Sequence, residues 1–313
     1  MTRRQQAQTQ QTHSVEVRRA YERALALTSV SSRHVAMEPG NRVHLLEAGA
    51  GPPVVLLHGT VDSAGFLLPL LNELHGVRAL APDLPGRGLS DPIDFPRHRY
   101  RETAVAWLND LLDTLELDTV AVVGHSGGGR WALWHAMDHP GRVERLVLMG
   151  VPGLPKTRCP LPIRLMAMPG VGELLSRLVP PSPKSALRFA GFMGEKATLA
   201  THPELVDLMV ATGRDPIAAA SARSEMRALV SPFALLSPSG FRRHSQVRRD
   251  QLSQLAMPTL MVWGEHDPLG RSPVARAASD LIPGGQLVVL PTGHAPWLGR
   301  PAETAAVILD FVR

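Results

Sequence analysis

The chain has 313 residues, 44% of them hydrophobic and 4% aromatic, which is enough for one large domain with a sizeable insertion and too apolar for wholesale disorder. Its net charge is +5, largely from arginine, with Arg3, Arg4, Arg18, Arg19 and Arg23 near the start and Arg242, Arg243, Arg248 and Arg249 further on. No zinc-finger spacing, RNP-like run or P-loop accompanies that charge, so it reads as surface and nucleic acid is not an expected partner. The single cysteine, Cys159, excludes an intramolecular disulfide framework, and no apolar run approaches the roughly 20 residues that span a bilayer.

The first 14 residues are polar and glutamine-rich with no apolar run behind the arginines; they read as a disordered arm rather than a secretory signal, and the expected location is the cytoplasm. Residues 15–27 repeat Val17, Ala20, Tyr21, Ala24 and Leu25 at helical spacing, as in a short amphipathic helix packing on the domain. Residues 34–38 and 42–47 flank a Pro-Gly-Asn turn and predict a β-hairpin. Short apolar runs then recur at 54–57, 77–81, 120–123, 143–149, 260–263 and 287–290, each ending in a Gly- or Pro-rich loop. Their near-continuous Val/Leu content suits strands buried on both faces of a parallel sheet, and helical stretches at 100–115 and 129–139 alternate with them. The pattern predicts a doubly wound α/β sheet. Between 151 and 249 the alternation stops: eight prolines fall between Pro152 and Pro183, and helical runs at 203–212 and 217–229 follow. This region reads as a helical cap. The predicted division is an arm over 1–33, a core over 34–150, the cap over 151–249 and the rest of the core over 250–313.

The run Val120-Ala-Val-Val-Gly-His-Ser-Gly-Gly-Gly-Arg contains G-x-S-x-G at Gly124, Ser126 and Gly128. A buried strand runs into it and a helix runs out, which is the setting of a nucleophile elbow: a strained turn that projects the serine hydroxyl at the sheet's C-terminal edge. Small residues are needed at 124 and 128 because a Cβ there would clash as the chain doubles back. A serine hydroxyl needs a general base, and the base an orienting acid. Of thirteen histidines, His294 follows the last predicted strand and precedes the terminal helix, in a loop at the same sheet edge. Asp267, in WGEHDP after the penultimate strand, lies between serine and histidine in the chain, as the acid should; Glu265 competes with it. The loop after 143–149 holds no acidic residue before Glu173, which removes the alternative position. An oxyanion needs donors already aimed at it, expected from the N–H groups of Gly127 and Thr60. His58 and Asp83 read as loop-fixing hydrogen-bonding residues, and His266 as a loop residue.

Taken together, HG at His58 and Gly59, the PDLPGRGLSD loop through Asp83 and Asp91, GHSGG at Gly124 to Gly128, WGEHD ending at Asp267 and GHAPW from Gly293 resemble the α/β-hydrolase superfamily from about residue 34 to the C-terminus. The resemblance implies an eight-stranded, mostly parallel sheet with a helical cap inserted after the sixth strand, a Ser126–Asp267–His294 triad, and no cofactor or metal. Members that open epoxides or remove halides carry Asp at the nucleophile position, so Ser126 disfavours those reactions. The expected activity is hydrolysis of a carboxylic ester or lactone of a largely apolar small molecule through an acyl-enzyme. The alternatives are hydrolysis of a C–C bond in a β-diketone-type ring-cleavage product, acyl transfer, and a ligand receptor on the same fold. A polar, often arginine-containing pocket for a substrate carboxylate would mark the C–C enzymes. Oligomeric state is left open.

Overall fold

The computed structural model describes residues 13–38, 40–233 and 237–313. The predicted disordered arm mostly lies outside them, but its last two residues are fixed. His13 is buried, with Nδ1 3.1 Å from Asp215 Oδ1 and Nε2 2.8 Å from the Ser90 carbonyl, and the Ser14 N–H donates to Asp215 Oδ2 at 2.7 Å. A buried carboxylate needs donors, and these two residues supply them. Ser14 also caps helix α1 (Val15–Leu25), which buries Val17, Ala20, Tyr21 and Ala24.

In chain order there follow β1 (Ser31–Met37), β2 (Asn41–Ala48), β3 (Pro53–Leu57), α2 (Leu68–Leu71), β4 (Arg78–Pro82), α3 (Tyr100–Thr114), β5 (Val120–His125), α4 (Ser126–Asp138) and β6 (Val143–Met149). The helical insertion carries α5 (Leu161–Ala167), α6 (Val171–Leu178), α7 (Pro183–Phe192), α8 (Lys196–Leu199), α9 (Pro203–Arg214) and α10 (Pro216–Leu229). The chain ends with α11 (Arg249–Leu252), β7 (Thr259–Gly264), α12 (Ser272–Ser279), β8 (Gln286–Leu290), α13 (Pro296–Gly299) and α14 (Pro301–Val312). The one strand-like contact described between β6 and β7 is an isolated bridge, Val230 to Phe241.

The sheet has eight strands in the order β1-β2-β4-β3-β5-β6-β7-β8. The hairpin β1–β2 is antiparallel, β2 meets β4 antiparallel, and every later pairing is parallel. The hairpin starts three residues before the predicted 34, because Ser31 to Arg33 still find partners in Glu47 to Leu45. The apolar runs are continuous because each strand feeds two cores. Val120 and Val122 of β5, with Leu146 and Leu148 of β6, face one layer; Ala121, Val123, Val147 and Met149 face the other. The chain winds in opposite senses from β3 and β5, so their C-terminal ends flank the crevice where an open α/β sheet admits a ligand.

Candidate active site

β5 ends at His125 and α4 begins at Ser126 with no loop between them, so the helix starts three residues before the predicted 129. The turn is absorbed at Ser126, whose φ of 51° lies in the left-handed region that costs a non-glycine residue energy. Glycines make it possible. A Cβ at Gly124 would stand 2.5 Å from the Gly129 Cα, and one at Gly128 would stand 2.3 Å from the His58 carbonyl oxygen. Side chains at those positions would force strand and helix apart.

His294 lies in the loop after β8 and is buried. Its Nδ1 is 2.8 Å from Asp267 Oδ2, while Asp267 Oδ1 accepts the Leu269 N–H at 2.8 Å. Asp267 is buried, whereas Glu265 and His266 beside it are exposed. Burial pulls the imidazole pKa down, but the charge and hydrogen bond of Asp267, with Asp62 and Glu195 nearby, hold it above the ordinary histidine value. Ser126 and His294 line one cavity of about 130 Å³, together with Thr60, Gly127, Asp62 and Glu195. The opposite walls are apolar, built from residues such as Ile163, Phe189, Met226 and Phe241 of the insertion and its return.

Thr60 lies in the loop after β3 and Gly127 in the first turn of α4, which follows the neighbouring strand β5. A Cβ on Gly127 would lie 3.2 Å from the Thr60 amide nitrogen, so Gly127 sits beside the Thr60 peptide. The Gly128 N–H, by contrast, is taken by the His58 carbonyl at 3.1 Å. Thr60 is held from two sides: Arg87 Nε donates to its carbonyl at 2.7 Å, and its hydroxyl donates to Glu225 Oε1 at 3.0 Å. Arg87 Nη2 closes the network on Glu225 Oε2 at 2.7 Å, an ion pair buried at both ends. Glu225 is on α10, so the insertion reaches into the β3 loop.

A second carboxylate of the insertion reaches the histidine loop. Glu195 Oε1 accepts the Ala295 N–H at 3.1 Å, and the Met193 carbonyl accepts the His294 N–H at 2.9 Å. Burial pushes the Glu195 carboxyl up to about 7 against these amide hydrogen bonds. Burial also raises Asp62 to about 6, although His294 and Arg87 oppose it. His125 packs between His294 and Trp297, and its Nε2 lies 3.0 Å from the His294 carbonyl. Arg130, one helical turn after Ser126, lines the cavity fully buried. Two of its N–H groups go to the Pro152 carbonyl, Nη1 has no partner among the described residues, and burial lowers its pKa to about 10.

His58 and Asp83 fix loops: the Leu84 N–H donates to His58 Nε2, and Asp83 accepts from Tyr21, Ala64 and Leu89, with His44 Nδ1 2.7 Å away. Cys159, whose surroundings in the sequence read as structural or incidental, is a buried wall residue of the cavity. Asp62, Arg87, Arg130, Glu195 and Glu225 escaped the sequence reading. Only Arg130 carried a signal, since four residues past Ser126 on a helix is the same face. Among the described residues no group of three or more His, Cys, Asp or Glu is placed to hold a metal ion, and no helix is long and apolar enough to cross a membrane.

The comparisons agree with this architecture. Residues 52–301 match the model of the alpha/beta hydrolase fold family. An uncharacterised protein of Mycobacterium tuberculosis is 30% identical over 280 residues, covering 85% of this chain and 76% of that protein. A 2-hydroxy-6-oxononadienedioate/2-hydroxy-6-oxononatrienedioate hydrolase of Cupriavidus pinatubonensis is 30% identical over 296 residues, covering 90% and 95%. Among solved structures, the carboxylesterase CesB of Bacillus subtilis superposes with a TM-score of 0.70 at 22% identity, covering 94% of this chain and 96% of that one. A 2-hydroxy-6-oxo-6-phenylhexa-2,4-dienoate hydrolase from a Rhodococcus gives 0.71 at 21%, covering 90% and 99%. With its eight-stranded sheet and that match, the chain belongs to the α/β-hydrolase fold family.

Proposed function

We propose that the protein is a serine hydrolase that cleaves a carboxylic ester or lactone of a largely apolar small molecule through an acyl-enzyme. The observation that carries this reading is the His294–Asp267 pair at 2.8 Å, buried behind the cavity into which the positive-φ turn delivers Ser126. Ser126 Oγ attacks the carbonyl and His294 Nε2 takes its proton. Asp267, next to Nδ1, fixes the tautomer and stabilises the imidazolium. The N–H groups of Thr60 and Gly127 receive the oxyanion, held in place beforehand by Arg87 and Glu225. His294 returns the proton to the leaving alcohol, then activates the water that releases the acid. The helical insertion acts as a cap, supplying the apolar wall that sorts substrates.

Turnover of p-nitrophenyl esters tests this. The wild type should hydrolyse them, and Ser126→Ala should lower kcat by about 10⁴-fold or more. Turnover that survives this substitution refutes the reading.

One observation favours a second reading, C–C bond hydrolysis. Arg130 stands in the cavity wall without an acidic partner among the described residues, as a site for a substrate carboxylate requires. The relative from Cupriavidus pinatubonensis is named for that reaction. Decay of a 2-hydroxy-6-oxodienoate chromophore faster than ester cleavage, by kcat/KM, would decide for it.

A further inference from the structure

Beside the catalytic cavity lies a second, half-open chamber of about 350 Å³, bordered by α6, α7, α9 and α10 of the insertion. The two spaces share five wall residues: Val61, Met166, Phe189, Met209 and Met226. Three of the five are methionines, whose unbranched side chains change shape at low cost. The chamber is walled mainly by apolar residues, including Leu175, Ala186, Val210 and Ala222, while Ser176, Ser182 and Arg223 also line it. Arg87 borders it too, but its Nε, Nη1 and Nη2 are all engaged by protein acceptors.

Size decides what the chamber adds. A dry apolar cavity of roughly 150 Å³ holds one benzene, about six carbons. The catalytic cavity, at about 130 Å³, is therefore filled by a short substrate, and the chamber, at about 350 Å³, has room for more than twice as much. Small residues keep it open, since Ala186, Ala218 and Ala222 line it where larger side chains would close it.

We infer that the chamber is a binding subsite for a linear apolar arm of the substrate longer than about six carbons, which passes between Met166, Met209 and Met226 to reach it. This inference rests on the hydrolase reading and names the class of ester. Each methylene moved from water into the chamber raises kcat/KM by up to about fourfold.

The test is a chain-length series. For wild-type protein, p-nitrophenyl decanoate should exceed p-nitrophenyl butyrate at least tenfold in kcat/KM if the arm is the acyl chain. Decyl acetate should exceed butyl acetate by the same margin if it is the alcohol. Ala222→Phe, which fills the chamber from α10, should lower the larger ratio at least tenfold. Ala219→Phe, from a half-buried position on the same helix, serves if the first variant folds poorly. Rates that fall with length in both series, or ratios untouched by either substitution, overturn the proposal. Failure of the hydrolase reading looks different: butyrate cleavage would be absent or would survive Ser126→Ala. The chamber is then judged by heat stability of the Ser126→Ala protein, which decanoate should raise more than butyrate; equal effects overturn it.

Discussion

A single methyl group placed on Gly127 would lie 2.2 Å from Thr60 Oγ1 and 2.9 Å from Glu225 Oε1, so it would push the Thr60 peptide off its position. Gly127→Ala should lower kcat by about 100-fold or more, the cost of losing an oxyanion donor, while the protein still folds; stopped-flow ester hydrolysis beside a thermal melt separates the two effects. His294 offers a second check at this scale. Its pKa is held above the ordinary value, and only the neutral imidazole accepts a proton, so kcat/KM should fall as pH drops through a point above 6.5. Asp62 is one of the charges that raise that pKa. Asp62→Asn should therefore move the acid limb of the pH–rate profile to lower pH, and a limb that stays put would remove Asp62 from the electrostatics of the base.

At the scale of elements, α10 depends on Asp215, which caps its first turn by accepting the Ala218 N–H at 2.9 Å and also receives His13 and Ser14. Burial opposes its ionisation, yet these donors hold its pKa down to about 2. The stabilisation is present above the ordinary carboxylate range near 4 and is lost as pH falls toward 2. Asp215→Ala should cost about 2–4 kcal/mol at pH 7 in urea unfolding: about 1 for the cap, the rest for buried donors left unsatisfied. The elements themselves were legible because their signals are local. Glycines and an apolar run announce the turn at Ser126 within eleven residues, and β5 and β6 show their burial in composition alone. The start of α4 was placed too late, since three glycines read as loop until the strand is seen to end at His125. The sequence favours Asp267 but leaves Glu265, two residues away, as a competitor; the structure turns the first inward and leaves the second in solvent.

For the whole molecule, the insertion is tied to both halves of the candidate site, and that was invisible in the sequence. Glu195 and Glu225 sit in unremarkable helical sequence, 100 residues from Ala295 and 165 from Thr60 respectively. Only the folded chain brings carboxylate to amide and hydroxyl. Glu225→Ala would strand Arg87 as a buried cation, at a cost of about 3–5 kcal/mol. Its kcat per titrated active site should fall as well, because the Thr60 loop loses its anchor; chemical denaturation and active-site titration on one preparation measure both.

The hydrogen bond from the His294 N–H to the Met193 carbonyl bears on how a substrate would enter if the proposed hydrolase reading holds. Were the insertion to swing away as a rigid flap, it would drag the imidazole's own backbone with it, and the enzyme would be open only when disarmed. Entry by shuffling of methionine side chains leaves the base where it is. On the proposed reading, a long apolar chain that threads in end first would leave this hydrogen bond in place.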